Sequence, residues 1–176
     1  TLDGKLVFGY QGWFLCPGDG APPNRWVHWF RSDGTPTIDM WPDTRELDAG
    51  ELCPTSYTLP GGGPAFLYSV WREETVVRHF DWMERNQLDG VMLQRFSSEL
   101  PDPAFKAFRD RVAANVRVGA ERHGRVFAMM YDVSGANASS LVADLKADWA
   151  HLVNTLKVTQ SPRYLRHKGR PLLAIW

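Results

Sequence analysis

Gly90-Val91-Met92-Leu93-Gln94-Arg95 is a short apolar run that stops on two polar residues. The pattern recurs in Leu6–Tyr10 before Gln11 and in Val126–Tyr131 before Asp132, and a fourth apolar run covers Leu172–Trp176. Helical periodicity fills the intervals. Val76, Phe80 and Met83 mark a helix from about Thr75 to Asn86, with Thr75 as its expected N-cap. Asp102-Pro103 opens a second helix with a capping side chain and a proline at the first helical position, and Gly124 closes it. Leu141, Leu145, Trp149, Leu152 and Leu156 give a third helix its inward stripe. Strands alternating with helices of this length predict a parallel sheet with right-handed crossovers. No Gly-x-Gly-x-x-Gly follows the first strand and no phosphate-binding loop of the Gly-Lys-Ser/Thr kind occurs, which counts against a nucleotide-binding sheet.

The expected fold class is α/β, as one domain over 1–176. Its strands fall at about 5–10, 90–94, 126–131 and 171–176. Residues 11–74, rich in Gly and Pro, form a long loop insertion after strand one, within which Ala65–Val70 reads as a short extra strand. A complete (β/α)8 barrel has about 250 residues and eight strands. Four strands in 176 residues therefore read as the N-terminal half of a (β/α)8 TIM barrel; the alternative is an open α/β sheet complete in itself. Thr1-Leu2-Asp3-Gly4 leads straight into a strand and Ile175-Trp176 lies inside an apolar run, so the expectation is a piece of a longer chain. Half a barrel would leave inner side chains such as Val91 and Leu93 without an opposite wall, and an isolated chain prone to oligomerise or aggregate.

The formal net charge is +0, with Lys and Arg dispersed, so no nucleic-acid partner is expected. No run of about 18 apolar residues predicts a membrane span. Cys16 and Cys53 are the only cysteines; they pair across the first loop or are unrelated thiols. No histidine spacing fits a metal site and no cofactor is expected. The chain carries 8 Trp, 5 Tyr and 9 Phe, and Trp13, Trp26, Trp29 and Trp41 fall in loops, where burial explains them less easily.

In a parallel barrel the strand carboxyl ends make the active face. Gly9-Tyr10-Gln11-Gly12-Trp13-Phe14 leaves strand one there. It reads as a tight turn with rim aromatics or as a sugar platform, since sugar CH groups meet the negative face of a ring. Asp39-Met40-Trp41-Pro42-Asp43 sets two carboxylates around a tryptophan, either as sugar ligands or as caps of local turns. Gln94 and Arg95 end strand two, and Tyr131 and Asp132 end strand three. Arg95 is costly to bury unpaired, so it requires a carboxylate: Asp132 is its expected partner, unless Asp132 binds sugar itself. His28 is the one histidine placed near the mouth. The candidate substrate-binding set is Tyr10, Gln11, Trp13, Asp39, Trp41, Asp43, Gln94, Arg95, Tyr131 and Asp132, with an oligosaccharide or polysaccharide as partner.

The same residues carry a family likeness. Asp3-Gly4-Lys5, Gly9-Tyr10-Gln11-Gly12-Trp13-Phe14, Asp39-Met40-Trp41-Pro42-Asp43, His79-Phe80-Asp81-Trp82-Met83, Leu88-Asp89-Gly90-Val91, Gln94-Arg95-Phe96, Tyr164-Leu165-Arg166 and Gly169-Arg170-Pro171 together resemble the glycoside hydrolase family 71/99-like group. That group includes bacterial proteins labelled xylosidase/arabinosidase and is akin to endo-α-mannosidases and α-1,3-glucanases. The resemblance covers nearly the whole chain. It implies a (β/α)8 barrel and retaining hydrolysis of α-linked glycans, with a Glu-x-x-Glu catalytic pair late in the barrel. No Glu-x-x-Glu occurs in these residues, so the resemblance assigns no catalytic residue here and leaves this stretch part of the sugar-binding wall.

Overall fold

The computed structural model describes all of residues 1–176. In chain order its elements are β1 (Val7–Tyr10), β2 (Leu52–Thr58), β3 (Pro64–Tyr68), α1 (Glu73–Arg85), β4 (Gly90–Phe96), α2 (Pro103–His123), β5 (Val126–Asp132), α3 (Leu141–Asn154), β6 (Arg166–His167), β7 (Arg170–Pro171) and β8 (Leu173–Ile175). Four of them form one parallel sheet in the order β1-β4-β5-β8. That order follows the sequence without reversal, so the sheet has no doubly wound switch point. β2 pairs with β3, and β6 with β7, as separate antiparallel hairpins. The chain is therefore mixed α/β around a four-stranded parallel sheet.

Alternation along the strands decides what each face carries. Val91, Leu93 and Arg95 of β4 are in register with Phe127, Met129 and Tyr131 of β5, and all six are buried. All of them except Arg95 pack in one cluster with Phe80 of α1 and with Phe108, Val112 and Val116 of α2. Val91 and Leu93 thus meet helices rather than an open interior, contrary to the expectation that they would lack a wall. The opposite face carries Met92, Gln94, Phe96 and Met130, all partly exposed.

Local chemistry explains most element ends. Asp102 caps α2 by accepting from the amides of Ala104 and Phe105, Pro103 sits in its first turn, and Gly124 closes it in the left-handed conformation at φ 66°. The start of α1 departs from expectation: the helix begins at Glu73, two residues before Thr75, and Arg72 at its N-cap makes no side-chain cap bond. Glu73 and Glu74 oppose the positive end of the helix dipole instead. Helices α1 and α2 approach closely at Gly119, where a Cβ would lie 2.6 Å from the Phe80 ring.

The insertion between β1 and α1 has a core of its own. Cys16 and Cys53 form a disulfide with a Cα–Cα distance of 6.3 Å, and Trp29 and Leu67 are buried beside it. Trp26, Phe30 and Trp41 pack around that centre. Trp29 Nε1 donates to the Tyr68 carbonyl at 2.9 Å and Trp41 Nε1 to that of Phe66 at 2.7 Å. Three of the four loop tryptophans are thereby accounted for by burial. β2 and β3 extend the single strand expected near Ala65 into a hairpin.

The disulfide closes a separation of 37 residues, and a crosslink of that span is worth roughly 4 kcal/mol through the unfolded chain. Replacing both cysteines by serine should lower the guanidinium unfolding free energy by about that amount. An unchanged midpoint would mean that the aromatic cluster alone holds the insertion.

Candidate functional site

The carboxyl ends of β4 and β5 bring one subset of the predicted residues together. Gln94 and Phe96 share the face that carries no helix, and Phe96 is in register with Asp132. The Gln94 side-chain amide donates to one Asp132 carboxylate oxygen. The other oxygen accepts the Ser134 backbone N–H at 2.8 Å. The Ser97 hydroxyl donates to the Asp132 carbonyl at 2.9 Å, tying the two strand ends together. Burial pushes the Asp132 carboxyl up, but the hydrogen bonds from Ser134 and Gln94 outweigh it and hold the group below the usual carboxylate range. Asp132 is therefore an anion at neutral pH, fitted to accept hydrogen bonds rather than to deliver a proton.

Above this pair stands an aromatic stack. Trp13 lies 4.7 Å from His28 at an interplanar angle of 19° and 5.3 Å from Phe96 at 13°. His28 adopts the left-handed backbone at φ 61°, a conformation costly for a non-glycine residue, and this position sets its ring on Trp13. Burial and the nearby Arg109 charge keep the imidazole below its ordinary pKa, against a smaller pull from Glu99. Arg109 braces the stack from behind. It donates to Glu99 at 2.6 and 2.9 Å and to the Gly12 carbonyl at 2.7 Å, and its guanidinium lies 5.3 Å from the Phe96 ring centroid. Beyond His28 a groove of about 840 Å³ runs between the insertion and the start of α2, with Arg25, Phe30, Tyr57, Glu99 and Phe105 among its walls.

The other predicted residues lie elsewhere. Arg95 points to the helix face, 1% exposed. Its Nε and Nη2 donate to the two Asp148 oxygens, each at 2.7 Å, and Nη2 also donates to Asp110 at 2.8 Å. Tyr131 joins it there, its hydroxyl donating to Asp148 at 2.6 Å. Arg95 thus pairs with Asp148 and Asp110, not with Asp132, and neither Arg95 nor Tyr131 reaches the site: neighbouring strand residues face opposite ways. Tyr10 also faces the helices, its hydroxyl 2.7 Å from His79 Nδ1. Gln11 and Tyr10 line a second groove of about 450 Å³ with Phe14, His79 and Trp82. An adjoining hollow of about 460 Å³ shares His79 and Trp82 and reaches Asp43. Asp43 is exposed and forms a fork with Arg45. Asp39 is exposed, and Trp41 belongs to the insertion core.

Asp148 is the buried partner that the sequence reading missed. It lies three residues after Leu145 and four before Leu152, on the apolar stripe of α3, where an acid signals a buried cation opposite. Phe96 was likewise legible from its spacing, two residues after Gln94. Asp81, Glu84 and His123 hold ligand atoms within 4.8 Å of one another. Asp81 is already paired with Arg85, and the Glu84 carboxylate is hydrogen-bonded to His123 Nδ1 at 2.8 Å.

No family model matches the chain, and no curated protein does either. Solved structures do. A GH99 endo-α-mannosidase from Bacteroides thetaiotaomicron, in complex with BIS-TRIS-propane, superposes with a TM-score of 0.62 at 14% identity, over 97% of this chain and 41% of that one. A second structure of a GH99 endo-α-mannosidase from that organism gives 0.57 at 13% identity, over 97% and 44%. The chain therefore shares the fold of part of those structures and spans about two-fifths of their length. No helix is long and apolar enough to cross a membrane.

His79 gives the second groove a measurable signature. Burial, reinforced by the Arg78 charge and opposed by Glu51, brings its pKa down to about 4. The unfolded value is about 6.5, so the unfolded chain binds the proton more readily and stability is lost as pH falls from about 6.5 towards 4. Between about pH 7 and about pH 5 the unfolding free energy should drop by no more than ~2 kcal/mol on this account. The drop should shrink in His79→Gln when chemical denaturation is followed at both pH values. An equal drop in the variant would place the acid sensitivity elsewhere.

Proposed function

We propose that this chain is the first half of a (β/α)8 barrel in a glycoside hydrolase acting on α-linked glycans, with the long insertion after β1 forming part of the glycan-binding wall. The sequential order β1-β4-β5-β8, with all three helices packed on one face, supports the barrel: four further parallel strands would close it and turn Met92, Gln94, Phe96 and Met130 inward. The observation that carries the functional reading is the stack of Trp13, His28 and Phe96 next to the Gln94–Asp132 pair, at the carboxyl ends of the strands and at the mouth of the large groove. Aromatic faces suit the CH faces of a pyranose, and a carboxylate with a carboxamide suits its hydroxyls.

The solved relatives are endo-α-mannosidases, so this reading takes α-mannosides as the first ligands and sets the xylosidase/arabinosidase label aside. Retaining hydrolysis needs two carboxyl groups about 5 Å apart. Asp132 is a fixed anion, and the Glu-x-x-Glu of the resembling family is absent from these residues, so the acid and the nucleophile belong to the remaining strands of the barrel. Asp132 and Gln94 hold and orient the sugar for them. The Cys16–Cys53 disulfide suits an oxidising compartment. The alternative reading is a carbohydrate-binding barrel without catalysis.

Calorimetric titration with α-linked and β-linked manno-oligosaccharides tests the binding. The α-linked series should bind, and Trp13→Ala should weaken it roughly tenfold through loss of stacking. Asp132→Asn should weaken binding by a comparable factor. Equal affinity for both anomers, or an unaltered Trp13→Ala, would sink the site. Release of reducing sugar from α-mannan by the protein carrying this chain separates hydrolase from binder.

A further inference from the structure

The groove of about 840 Å³ has a charge that a neutral glycan does not need. Two guanidinium groups line it, Arg25 and Arg31. Both are exposed, and the ion pairs of the chain's arginines include neither of them. Glu99 is the one acid among the lining residues, and both its oxygens are taken up by Arg109 at 2.6 and 2.9 Å. One of them lies over aromatic surface: the Arg25 guanidinium is 5.5 Å from the Phe105 centroid, and Phe30 and Tyr57, also in the lining, stack at 5.7 Å and 13°. Ser56 adds a hydroxyl to the lining. The chain as a whole has a formal net charge of +0, whereas the groove lining sets two arginines against one acid whose oxygens Arg109 occupies.

From this we infer that the groove takes a saccharide bearing an anionic substituent, a phosphate ester or a carboxylate, with the sugar ring on the aromatic wall and the anion between Arg25 and Arg31. The inference rests on the glycan reading above and adds to it the chemical class of the substrate. The volume of about 840 Å³ is that of a small-ligand cleft, large enough for a short oligosaccharide. A guanidinium fork matches the oxygens of either anion bidentately. Two cations on a neutral protein are too few for the extended basic track that a nucleic acid requires.

Four probes at low salt decide it by calorimetry: α-mannobiose, α-mannobiose carrying one 6-phosphate, the corresponding uronic-acid disaccharide, and inorganic phosphate alone. At least one anionic disaccharide should bind roughly tenfold tighter than the neutral one, as one charge-assisted pairing allows. The double variant Arg25→Gln, Arg31→Gln should abolish that preference while leaving affinity for the neutral disaccharide within about twofold. The surface control Arg122→Gln, which removes a like charge at the far end of α2, should keep the preference. Both arginines are exposed, so the double variant should unfold at the wild-type temperature. Equal affinity for charged and neutral disaccharides, or a preference that survives the double variant, overturns the inference while the glycan reading stands. Inorganic phosphate binding as tightly as the sugar phosphate overturns it as well, by showing an anion site that ignores the sugar. Failure of all three disaccharides refutes the glycan reading and this inference with it.

Discussion

The buried guanidinium of Arg95 fixes the geometry on which the candidate site depends. A cation this deep is tolerable only when its charge meets opposite charge. Asp148 supplies two contacts and Asp110 a third, Tyr131 donates to the same Asp148, and His151 closes the ring on Asp110 at 2.8 Å. Burial alone would raise the Asp148 carboxyl, but hydrogen bonding and charge from Arg95 overcome it and hold the group below its ordinary value. The cluster joins β4, β5, α2 and α3, and it settles which way the carboxyl end of β4 faces. With Arg95 committed to the helix side, Gln94 and Phe96 must point the other way. The Gln94–Asp132 hydrogen bond and the Phe96–Trp13 stack follow from that commitment.

The same alternation explains what the sequence could and could not disclose. The four apolar runs, the Asp102-Pro103 opening and the Gly124 stop are local signals, and local geometry carries them into the structure. Nearness to a strand end, the signal that marks the candidate site residues in the sequence, ignores parity. Gln94 with Arg95, and Tyr131 with Asp132, are adjacent pairs that cannot share a face. Reading every second residue would have kept Gln94, Phe96 and Asp132 and released Arg95 and Tyr131 to the helix layer. The partner of Arg95 was visible too, as an acid in the apolar stripe of α3. The pairing of Cys16 with Cys53 was not visible, because two cysteines in a long loop fit two states equally well. The split of the loop aromatics was also hidden: only the folded insertion shows that Trp29 and Trp41 fill a core while Trp13 stands at the strand ends.

The insertion reads best as a rigid wall rather than as a mobile lid. It has a disulfide, a buried tryptophan and a hairpin whose register is set by Leu52 with Tyr68 and Cys53 with Leu67. Asp19 anchors its start, accepting from the amides of Cys16 and Ala21 and from the Ser69 hydroxyl. Such a wall places His28, Arg25 and Arg31 without help from the ligand, and preorganised contacts lose less entropy on binding. The left-handed backbone of His28 fits this picture. Its strain is sustained by the surrounding structure, and the ring it presents joins the sheet's stack to the groove.

Sheet and insertion therefore contribute different chemistry to one surface. The strand ends offer hydrogen-bond acceptors and donors in fixed register, suited to hydroxyls. The insertion offers flat aromatic area and unpaired guanidinium groups. Arg109 is the joint between them: it neutralises Glu99, holds the Gly12 carbonyl just before Trp13, and lies against Phe96. Burial lowers its pKa and the Glu99 carboxylate opposes that shift, so this cation is spent on structure. The charge left for a ligand is that of Arg25 and Arg31, farther along the groove. On the proposed reading, recognition of the sugar ring and recognition of a charged substituent fall to separate residues, and either can be altered by substitution without dismantling the other.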